Sequence, residues 1–364
     1  MKNIVLFGGA FDPIHNGHIN MAEEASRQLD ADVFFIPARI SVWKSDSAPI
    51  EDKINMINLA CQESALKNRF HISRYEADLQ TDVNYSIDTV KHFKEQYQDA
   101  NLFLLIGTDQ VNSFHKWKNA DEIASLAQIV YFARPDLELN EQSIKRFNMR
   151  KIEGQMVDAS STDIRELKSW ATPGSVLNYC ATHNLYFVNK IKEYMGEHRF
   201  NHTISVTNLS YEIAKANNFK DSNKVVVAAL LHDIGKEVPM EEQKQIMVEH
   251  FPDYLDLPPV IYHQFVSAYI ANRKLGITDI DILDAIRYHT TANSDLSDVA
   301  KIVYCADKIE PTRNFDSTEL INAMKSSIND GFVTVLKANV EYYEQKGIDY
   351  KNKLQMACID QYLK

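Results

Sequence analysis

The order of apolar and polar positions changes character near the middle of the chain. Before residue 189, short apolar runs alternate with amphipathic stretches, which predicts an α/β doubly wound parallel sheet of Rossmann-like type. The predicted strands cover residues 3–8, 33–37, 70–73, 101–107, 128–133 and 151–157. The predicted helices between them lie near 17–29, 52–66, 84–97 and 120–126, and another helix follows over 175–184.

From residue 190 onwards the apolar positions recur with the period of an α-helix, and no run is typical of a strand. These helical segments lie near 190–217, 222–234, 240–250, 259–275, 279–289, 296–309 and 317–345. The pattern predicts an all-α second half. We therefore expect two domains, 1–189 and 190–364, which agrees with a length of 364 residues at about 150 residues per domain.

Charge and cysteine content narrow the classes of function. The formal charge is −11, and both halves are acidic, with 19 basic against 25 acidic residues in 1–189 and 20 against 25 in 190–364. Without a basic tract, binding to nucleic acid or to an anionic membrane is disfavoured, whereas a small anionic ligand needs only a local basic pocket. The four cysteines are widely spaced, so neither a disulfide framework nor a zinc knuckle is expected.

The sequence also bears on location and assembly. No apolar stretch approaches the roughly 18 residues of a membrane span, and no signal-peptide pattern stands at the start of the sequence. A cytoplasmic protein is therefore expected. The sequence leaves open whether the chain forms a homo-oligomer.

The most informative stretch of the first half is GGAFDPIHNGH, residues 8–18. Gly8 and Gly9 stand at the carboxyl end of the first predicted strand, where open α/β sheets bind ligands. His15 and His18 are three residues apart at the start of the next helix. Their rings are expected near the exposed N–H groups of its first turn, which form a phosphate site.

This stretch resembles the HxGH element of the nucleotidylyltransferase superfamily, which binds the phosphates of a nucleoside triphosphate. The run DASSTDIRE (158–166) resembles the SSTxIR element of the same superfamily. The resemblance implies an ATP site formed by Gly8, Gly9, Phe11, Ser160, Ser161 and Thr162. It also implies that the transferring phosphate is stabilised by His15, His18, Lys44 and Arg165.

Two further runs, NYSIDTV (84–90) and LLIGTDQVNSFHKW (104–117), resemble the bacterial nicotinate-nucleotide adenylyltransferases. The implied reaction transfers the adenylyl group of ATP, bound with Mg²⁺, to nicotinate mononucleotide. By this resemblance, Trp117 would stack on the pyridine ring of the acceptor nucleotide, and Ser86 and Asp109 would hydrogen-bond this nucleotide or orient its loop. The loop RISVWK (39–44) keeps Lys44 but lacks the prolines and the histidine that the family usually has there. No nucleophile–base pair is evident, so direct transfer by alignment and charge stabilisation is expected.

The second half contains half of the chain's twelve histidines between residues 198 and 289. His232 and Asp233 end an apolar helix, and adjacent helical side chains about 100° apart can both reach one ion from the helix end. Further candidate ligands for a metal site of mixed nitrogen and oxygen donors are His198, His202, His250, His263, His289 and Asp307. Such a site polarises a phosphoryl oxygen and activates water.

This half resembles the HD-superfamily metal phosphohydrolases, and within them the bacterial symmetrical dinucleoside-tetraphosphatases. The matching runs are EHRFNHT (197–203), LLHDIGK (230–236), YHQFVSAY (262–269), DILDAIRYHTT (281–291) and YCADKIEPTR (304–313). The resemblance implies metal ligands, often for iron, at His202, His232, Asp233 and Asp307, and nucleotide contacts from Lys236, His263, His289, Thr290 and Arg313. If His263 and His289 also bind metal, six ligands exist, so a two-metal site stays open.

The leading hypothesis is a bifunctional enzyme. Its first domain would make nicotinate adenine dinucleotide, and its second would cleave diadenosine tetraphosphate into two ADP molecules. Two alternatives remain for the second domain: a phosphohydrolase of other nucleotides, because the HD pattern indicates metal chemistry better than substrate, or a nucleotide sensor without turnover.

Overall fold

A computed structural model describes residues 2–39, 47–79, 84–133, 137–313 and 315–364 of the chain. Their backbone divides into two compact units. The first comprises residues 1–164 and 171–176, and the second comprises residues 165–170 and 177–364. The two units exchange residues between 164 and 177. The domain boundary that we expected after residue 189 stays a prediction.

The first unit is built on one six-stranded sheet in which every neighbouring pair of strands is parallel. The strands are β1 (Asn3–Gly9), β2 (Ala31–Pro37), β3 (Phe70–Ile72), β4 (Asn101–Gly107), β5 (Gln128–Phe132) and β6 (Arg150–Ile152). Their order across the sheet is β3-β2-β1-β4-β5-β6. This is the doubly wound arrangement with its reversal of direction between β1 and β4, and it confirms the predicted fold class.

Helices connect the strands of this unit, and four of them match the segments predicted near 17–29, 52–66, 84–97 and 120–126. The helices are α1 (Asn16–Leu29), α2 (Ile50–Glu63), α3 (Tyr75–Asp78), α4 (Ser86–Gln96), α5 (Thr108–Ser113), α6 (Ala120–Leu126) and α7 (Glu141–Arg146). One core cluster joins strand residues such as Leu104 and Ile129 to Val90 and Phe93 of α4 and to Ile123 of α6. The sheet is thereby fixed against the helices that pack on it. Two more helices, α8 (Ser161–Arg165) and α9 (Gly174–Thr182), lie in the stretch where the units exchange residues.

The second unit contains helices and no strand among its described residues, which confirms the all-α prediction. Its helices are α10 (Val188–Lys192), α11 (Glu197–Ala216), α12 (Ser222–Leu231), α13 (Met240–His250), α14 (Tyr262–Arg273), α15 (Ile280–Tyr288), α16 (Asp298–Ile309), α17 (Thr318–Ser326), α18 (Ile328–Lys346) and α19 (Lys353–Tyr362). Helix α12 is buried along most of its length, from Val225 to Leu231. Among the described residues, no helix combines the length and the apolar character that a membrane crossing requires.

Two long helical segments predicted from the sequence are interrupted in the structure. The segment 190–217 divides into α10 and α11, and the break ends at Gly196, the N-cap of α11. The segment 317–345 divides at Ser327, whose backbone is extended (φ −156°, ψ 128°) and whose side chain accepts a hydrogen bond from the Asp330 N–H. Ser327 therefore starts a new helix, because an extended residue with a capping oxygen satisfies the first N–H groups of that helix.

Candidate functional sites

The switch point of the sheet lies between β1 and β4, and the predicted ligand-binding stretches follow these two strands. Gly9 ends β1, and the stretch up to His18 leads into α1. Gly107 ends β4 and is followed by α5, which carries Asp109. Since ligands of open α/β sheets bind at the carboxyl ends of the strands beside the switch point, the fold brings these stretches to one crevice.

His15 and His18 cap the first turn of α1 for each other. The N–H of His18 donates to Nδ1 of His15 at 3.4 Å, and the N–H of His15 donates to Nδ1 of His18 at 3.3 Å. The two rings are stacked with their centroids 3.6 Å apart. Because each Nδ1 accepts a hydrogen bond, the proton of each neutral ring is on Nε2. Both rings can therefore donate an N–H to an anion without being protonated.

The backbone in front of α1 is held in place by residues far away in the sequence. The hydroxyl of Ser161 donates to the carbonyl oxygen of Pro13 at 2.9 Å. The hydroxyl of Thr172 donates to the carbonyl oxygen of Ile14 at 2.8 Å, and the N–H of Asn16 donates to the carbonyl oxygen of Ala171 at 3.0 Å. Thr172 is fully buried, and its part in the site was missed at the sequence level because it lies outside both motifs.

The other predicted ATP contacts have distinct positions. Phe11 is buried, and its ring edge packs against the ring of His18 at a centroid distance of 5.0 Å. The Ser160 hydroxyl accepts from the N–H of Asp163 at 3.4 Å, in the first turn of α8, while Thr162 is exposed. Arg165 is grouped with the second compact unit. Lys44 lies outside the described residues, so its role as a phosphate contact stays a prediction.

The predicted acceptor contacts occupy the starts of two helices and a turn. Ser86 is the first residue of α4, and Asp109 is exposed on α5. Trp117 is half-buried, and its ring lies 5.1 Å from that of Phe114. Lys118 follows Trp117 and Tyr85 precedes Ser86 in the sequence, and Nζ of Lys118 lies 3.8 Å from the centre of the Tyr85 ring. Trp117 therefore packs partly on the core, and its stacking on a pyridine ring stays a prediction.

In the second unit, three helices bring the predicted metal ligands together. His202 projects from α11 and Asp307 from α16, and Nε2 of His202 lies 3.1 Å from Oδ1 of Asp307. His232 and Asp233 follow directly after α12, and Nε2 of His232 lies 3.7 Å from Oδ2 of Asp233 and 3.8 Å from Oδ1 of Asp307. All four side chains are buried.

Asp233 also faces two further histidines. Its Oδ1 lies 3.5 Å from Nε2 of His263, on α14, and 3.4 Å from Nε2 of His289, just after α15. Two groups therefore have the spacing of metal ligands, His202 with His232 and Asp233, and Asp233 with His263 and His289. Asp233 belongs to both groups, which is the arrangement expected of a carboxylate shared by two positions.

The unsatisfied atoms of this cluster fit a metal. Nε2 of His232 and Oδ1 of Asp233 are buried and have no hydrogen-bond partner among the described residues. Buried polar atoms of this kind are costly unless something binds them. Burial lowers the pKa of His232 to about 4, so its ring is neutral near pH 7, the form in which histidine binds metal. Although burial opposes it, the surrounding histidines hold the pKa of Asp233 well below its usual range.

Three of the site histidines are oriented by backbone carbonyl oxygens three residues earlier in the chain. Nδ1 of His232 lies 2.6 Å from the carbonyl oxygen of Ala229, and Nδ1 of His289 lies 2.7 Å from that of Ile286. Nδ1 of His263 lies 3.0 Å from the carbonyl oxygen of Val260. Since a carbonyl oxygen only accepts hydrogen bonds, the proton of each ring is on Nδ1 and the lone pair of Nε2 points into the cluster.

The residues predicted to contact the nucleotide lie against the histidines and Asp307 of this cluster. Nζ of Lys236 lies 3.1 Å from Nε2 of His263. A guanidinium nitrogen of Arg313 lies 2.9 Å from Oδ1 of Asp307, and the hydroxyl of Thr290 lies 3.0 Å from Nε2 of His289. The predicted nucleotide contacts therefore gather at the metal-site-like cluster.

Three charged residues of this cluster were missed at the sequence level. Arg199 contacts Oδ2 of Asp233 at 2.7 Å, and Nζ of Lys308 lies 2.8 Å from Oδ2 of Asp307. Oε1 of Glu310 lies 3.1 Å from Nδ1 of His202. Burial opposes ionisation of Glu310, but hydrogen bonds, the strongest of them from His202, lower its pKa to about 2. Glu310 lies just beyond the end of α16, so no motif spacing in the sequence indicated its contact with His202.

Comparisons with known proteins match the two parts of the chain to two different families. A family model described as cytidylyltransferase-like matches residues 6–167, and a model described as HD domain matches residues 199–312. The symmetrical bis(5'-nucleosyl)-tetraphosphatase of Bacillus subtilis is 37% identical over 171 residues, which cover 44% of this chain and 91% of the relative. The probable nicotinate-nucleotide adenylyltransferase of Aquifex aeolicus is 35% identical over 170 residues, covering 44% of this chain and 99% of the relative.

A further relative extends over both units. The probable nicotinate-nucleotide adenylyltransferase/Ap4A hydrolase of Mycoplasma genitalium is 30% identical over 353 residues, which cover 92% of this chain and 97% of the relative. The chain therefore belongs to the family of nicotinate-nucleotide adenylyltransferase/Ap4A hydrolases, in which a cytidylyltransferase-like domain is followed by an HD domain.

Proposed function

We propose that this chain is a bifunctional enzyme of adenine nucleotides. Its first unit transfers the adenylyl group of ATP to nicotinate mononucleotide and releases pyrophosphate, a step of NAD synthesis. Its HD unit hydrolyses diadenosine tetraphosphate (Ap4A) symmetrically to two ADP molecules. The observation that carries the proposal is similarity to a two-activity relative along nearly the whole of both chains.

The geometry of the first unit supports direct transfer. A phosphate oxygen of the acceptor nucleotide attacks the α-phosphorus of ATP, and the bond to the leaving pyrophosphate breaks. Such a step needs alignment and stabilisation of charge more than a protein nucleophile. The stacked rings of His15 and His18 supply two Nε2–H donors, and Ser160, Ser161, Thr162, Lys44 and Arg165 are proposed to hold the phosphates together with Mg²⁺.

The cluster of the second unit is proposed to hold the metal of the hydrolase. His202, His232, Asp233 and Asp307 would bind one ion, and Asp233 with His263 and His289 offers a second position. When bound there, a divalent transition metal supplies Lewis-acid activation of the phosphate and of water. Iron is the proposed metal, since mixed imidazole and carboxylate ligands suit it better than Mg²⁺.

The charged residues around this cluster favour a polyphosphate as substrate. Arg199, Lys236, Lys308 and Arg313 carry four positive charges, whereas Asp233, Asp307 and Glu310 carry three negative ones. The protein side chains alone are therefore not repulsive to an anion, and any bound cation adds to the attraction. Arg199 and Arg313 are partly exposed, with 28% and 40% of their side chains accessible, and can reach phosphates from solvent.

Two substitutions test the proposal in one protein. We expect Asp233→Ala to abolish metal binding and Ap4A hydrolysis while adenylyl transfer stays near the wild-type rate, because Asp233 lies in the HD unit and not in the site of the first unit. His18→Ala is expected to do the reverse and to lower adenylyl transfer at least about 100-fold. Products would be separated by liquid chromatography after incubation with Ap4A, and with ATP plus nicotinate mononucleotide.

The outcomes that contradict the proposal are specific. Loss of both activities in either folded variant would exclude independent sites. Faster hydrolysis of mononucleotides or cyclic nucleotides than of Ap4A would assign the HD unit a different substrate. Tight binding of Ap4A without release of ADP would make this unit a sensor and not an enzyme.

A further inference from the structure

Glu310 is a buried carboxylate at the edge of the HD cluster, where it contacts one proposed metal ligand. It follows directly after α16, and only 1% of its surface is accessible. Its Oε1 lies 3.1 Å from Nδ1 of His202, while Nε2 of the same ring lies 3.1 Å from Oδ1 of Asp307. The ring of His202 therefore stands between two carboxylates, one inside the cluster and one behind it.

The carboxylate of Glu310 is itself fixed from several sides. The hydroxyl of Ser205 donates to Oε2 at 2.7 Å. Thr312 donates twice, from its N–H to Oε2 at 2.7 Å and from its hydroxyl to Oε1 at 2.6 Å. Because both oxygens accept hydrogen bonds, the carboxylate has little freedom to rotate away from the imidazole.

This arrangement distinguishes His202 from the three other site histidines. His232, His263 and His289 each place Nδ1 against a backbone carbonyl oxygen of a residue three positions earlier. Nζ of Lys236 also lies 3.2 Å from Nδ1 of His263, but among these four rings only His202 has a carboxylate against Nδ1. A carboxylate attracts the Nδ1 proton more strongly than a carbonyl does and so leaves more electron density on Nε2.

We infer that Glu310 is a positioning residue for the proposed metal site. It holds His202 in the tautomer with the proton on Nδ1, directs Nε2 at the cluster and makes His202 the strongest imidazole donor of the set. The inference rests on the proposed function, since it assumes that His202 binds a metal. Glu310 itself contacts neither metal nor substrate in this assignment.

The test measures metal affinity in the full-length chain. Protein freed of metal is titrated with Co²⁺, and binding is followed by calorimetry and by the visible absorption of the bound ion. Glu310→Gln keeps the shape of the side chain but removes its charge, and we expect Co²⁺ to bind about 10-fold to 100-fold more weakly. The absorption bands of bound Co²⁺ should also shift, because one of its nitrogen donors has changed. Glu310→Asp restores the charge and should recover part of the affinity.

A matched control lies on the same helix as His202. Glu212 also accepts a hydrogen bond, from Asn208, and pairs with Lys325 at 2.7 Å, but it contacts no site histidine. Glu212→Gln should therefore bind Co²⁺ like the wild type, with an unchanged spectrum. If Glu310→Gln behaves in the same way as this control, the inference is wrong while the proposed function stands.

Two further results keep the two proposals apart. If the wild-type protein binds no Co²⁺, the metal site of the proposed function fails, and the inference fails with it. If Glu310→Gln does not fold, as judged by circular dichroism, Ser205→Ala replaces it, since this variant keeps the carboxylate and loses one of its fixing hydrogen bonds. We expect a loss of affinity smaller than 10-fold there, and wild-type affinity would overturn the inference.

Discussion

Gly17 lies between the two histidines that cap α1, and a side chain at its position would crowd the ring of His15. A Cβ atom there would lie 3.1 Å from ring atoms of His15 and 3.2 Å from the carbonyl oxygen of Val157. These distances are tighter than ordinary van der Waals contacts, and the ring of His15 is already held by its stack on His18. The requirement for glycine is therefore steric, and it concerns the placement of one imidazole.

We predict that Gly17→Ala slows adenylyl transfer with little change in folding. Alanine favours a helix over glycine by up to about 1 kcal/mol, which offsets part of the crowding, so the free energy of unfolding should change by less than about 1 kcal/mol. Displacement of the His15 ring should lower kcat on the order of 10-fold to 100-fold. Steady-state kinetics and urea unfolding would measure the two quantities.

The control is Gly196→Ala, at the N-cap of α11. Its φ is −69°, and the nearest atom to an added Cβ would lie 3.6 Å away, so the methyl group fits. Both activities should be unchanged in this variant. A wild-type kcat in Gly17→Ala would mean that the position of His15 does not limit the reaction.

At the scale of elements, the segment 171–176 supports the loop that carries the histidines. Its Thr172 hydroxyl and Ala171 carbonyl bond to Ile14 and Asn16, on either side of His15. We predict that Thr172→Val destabilises the first unit by about 1–3 kcal/mol, because the buried carbonyl oxygen of Ile14 loses its donor. The kcat of adenylyl transfer should fall with it, and hydrolysis of Ap4A should not.

Thr172→Ser should rescue both quantities, because it keeps the hydroxyl. Thr182→Val is the matched control, since the Thr182 hydroxyl is exposed and bonds only within its own helix region, to Asn178 and Tyr179, and next to His183. The prediction is wrong if Thr172→Val and Thr182→Val unfold at the same urea concentration with equal kinetics.

The elements differ in how far they could be predicted. Five of the six strands begin and end within two residues of their predicted bounds, because short, near-continuous apolar runs are typical of strands in a parallel sheet covered on both faces. The division at Ser327 and the role of Thr172 escaped prediction for a common reason. Each depends on one hydrogen bond whose partner only the folded backbone supplies.

The candidate sites likewise contain residues that the sequence indicated and residues that it did not. The two histidines of HxGH stand close together in the sequence, and so do His232 and Asp233, so each motif indicates side chains that lie near one another. The structure brings His202, His232, Asp233 and Asp307 into contact. Arg199 and Glu310 reach the cluster only through the packing of α11 against α12 and α16. No motif spacing encodes that packing.

At the scale of the whole molecule, the two sites should differ in the metal that restores them. The first is proposed to use a hard cation that stays largely with the phosphates of ATP, whereas the second offers imidazole nitrogens, which suit transition metals. We predict that protein stripped with a strong chelator and then given Mg²⁺ regains adenylyl transfer but not Ap4A hydrolysis. Added Fe²⁺ or Mn²⁺ should restore hydrolysis, and product chromatography would follow both reactions.

Asp233→Ala, assayed after the same treatment, serves as the reference for this experiment. It should regain adenylyl transfer with Mg²⁺ and should gain no hydrolysis from any metal. Recovery of both activities of the wild type on Mg²⁺ alone would count against a transition-metal site.

The exchange of residues between the units limits how the gene can be divided. Residues 171–176 belong to the first unit, but residues 165–170 before them belong to the second. If the chain is divided before residue 171, the first fragment loses the hydrogen bond from Thr172 to Ile14. If it is divided after residue 176, the second fragment loses residues 165–170. Only overlapping fragments, such as 1–176 and 165–364, give each half all of its own residues. Two proteins expressed from one gene would therefore need to share a stretch of about a dozen codons.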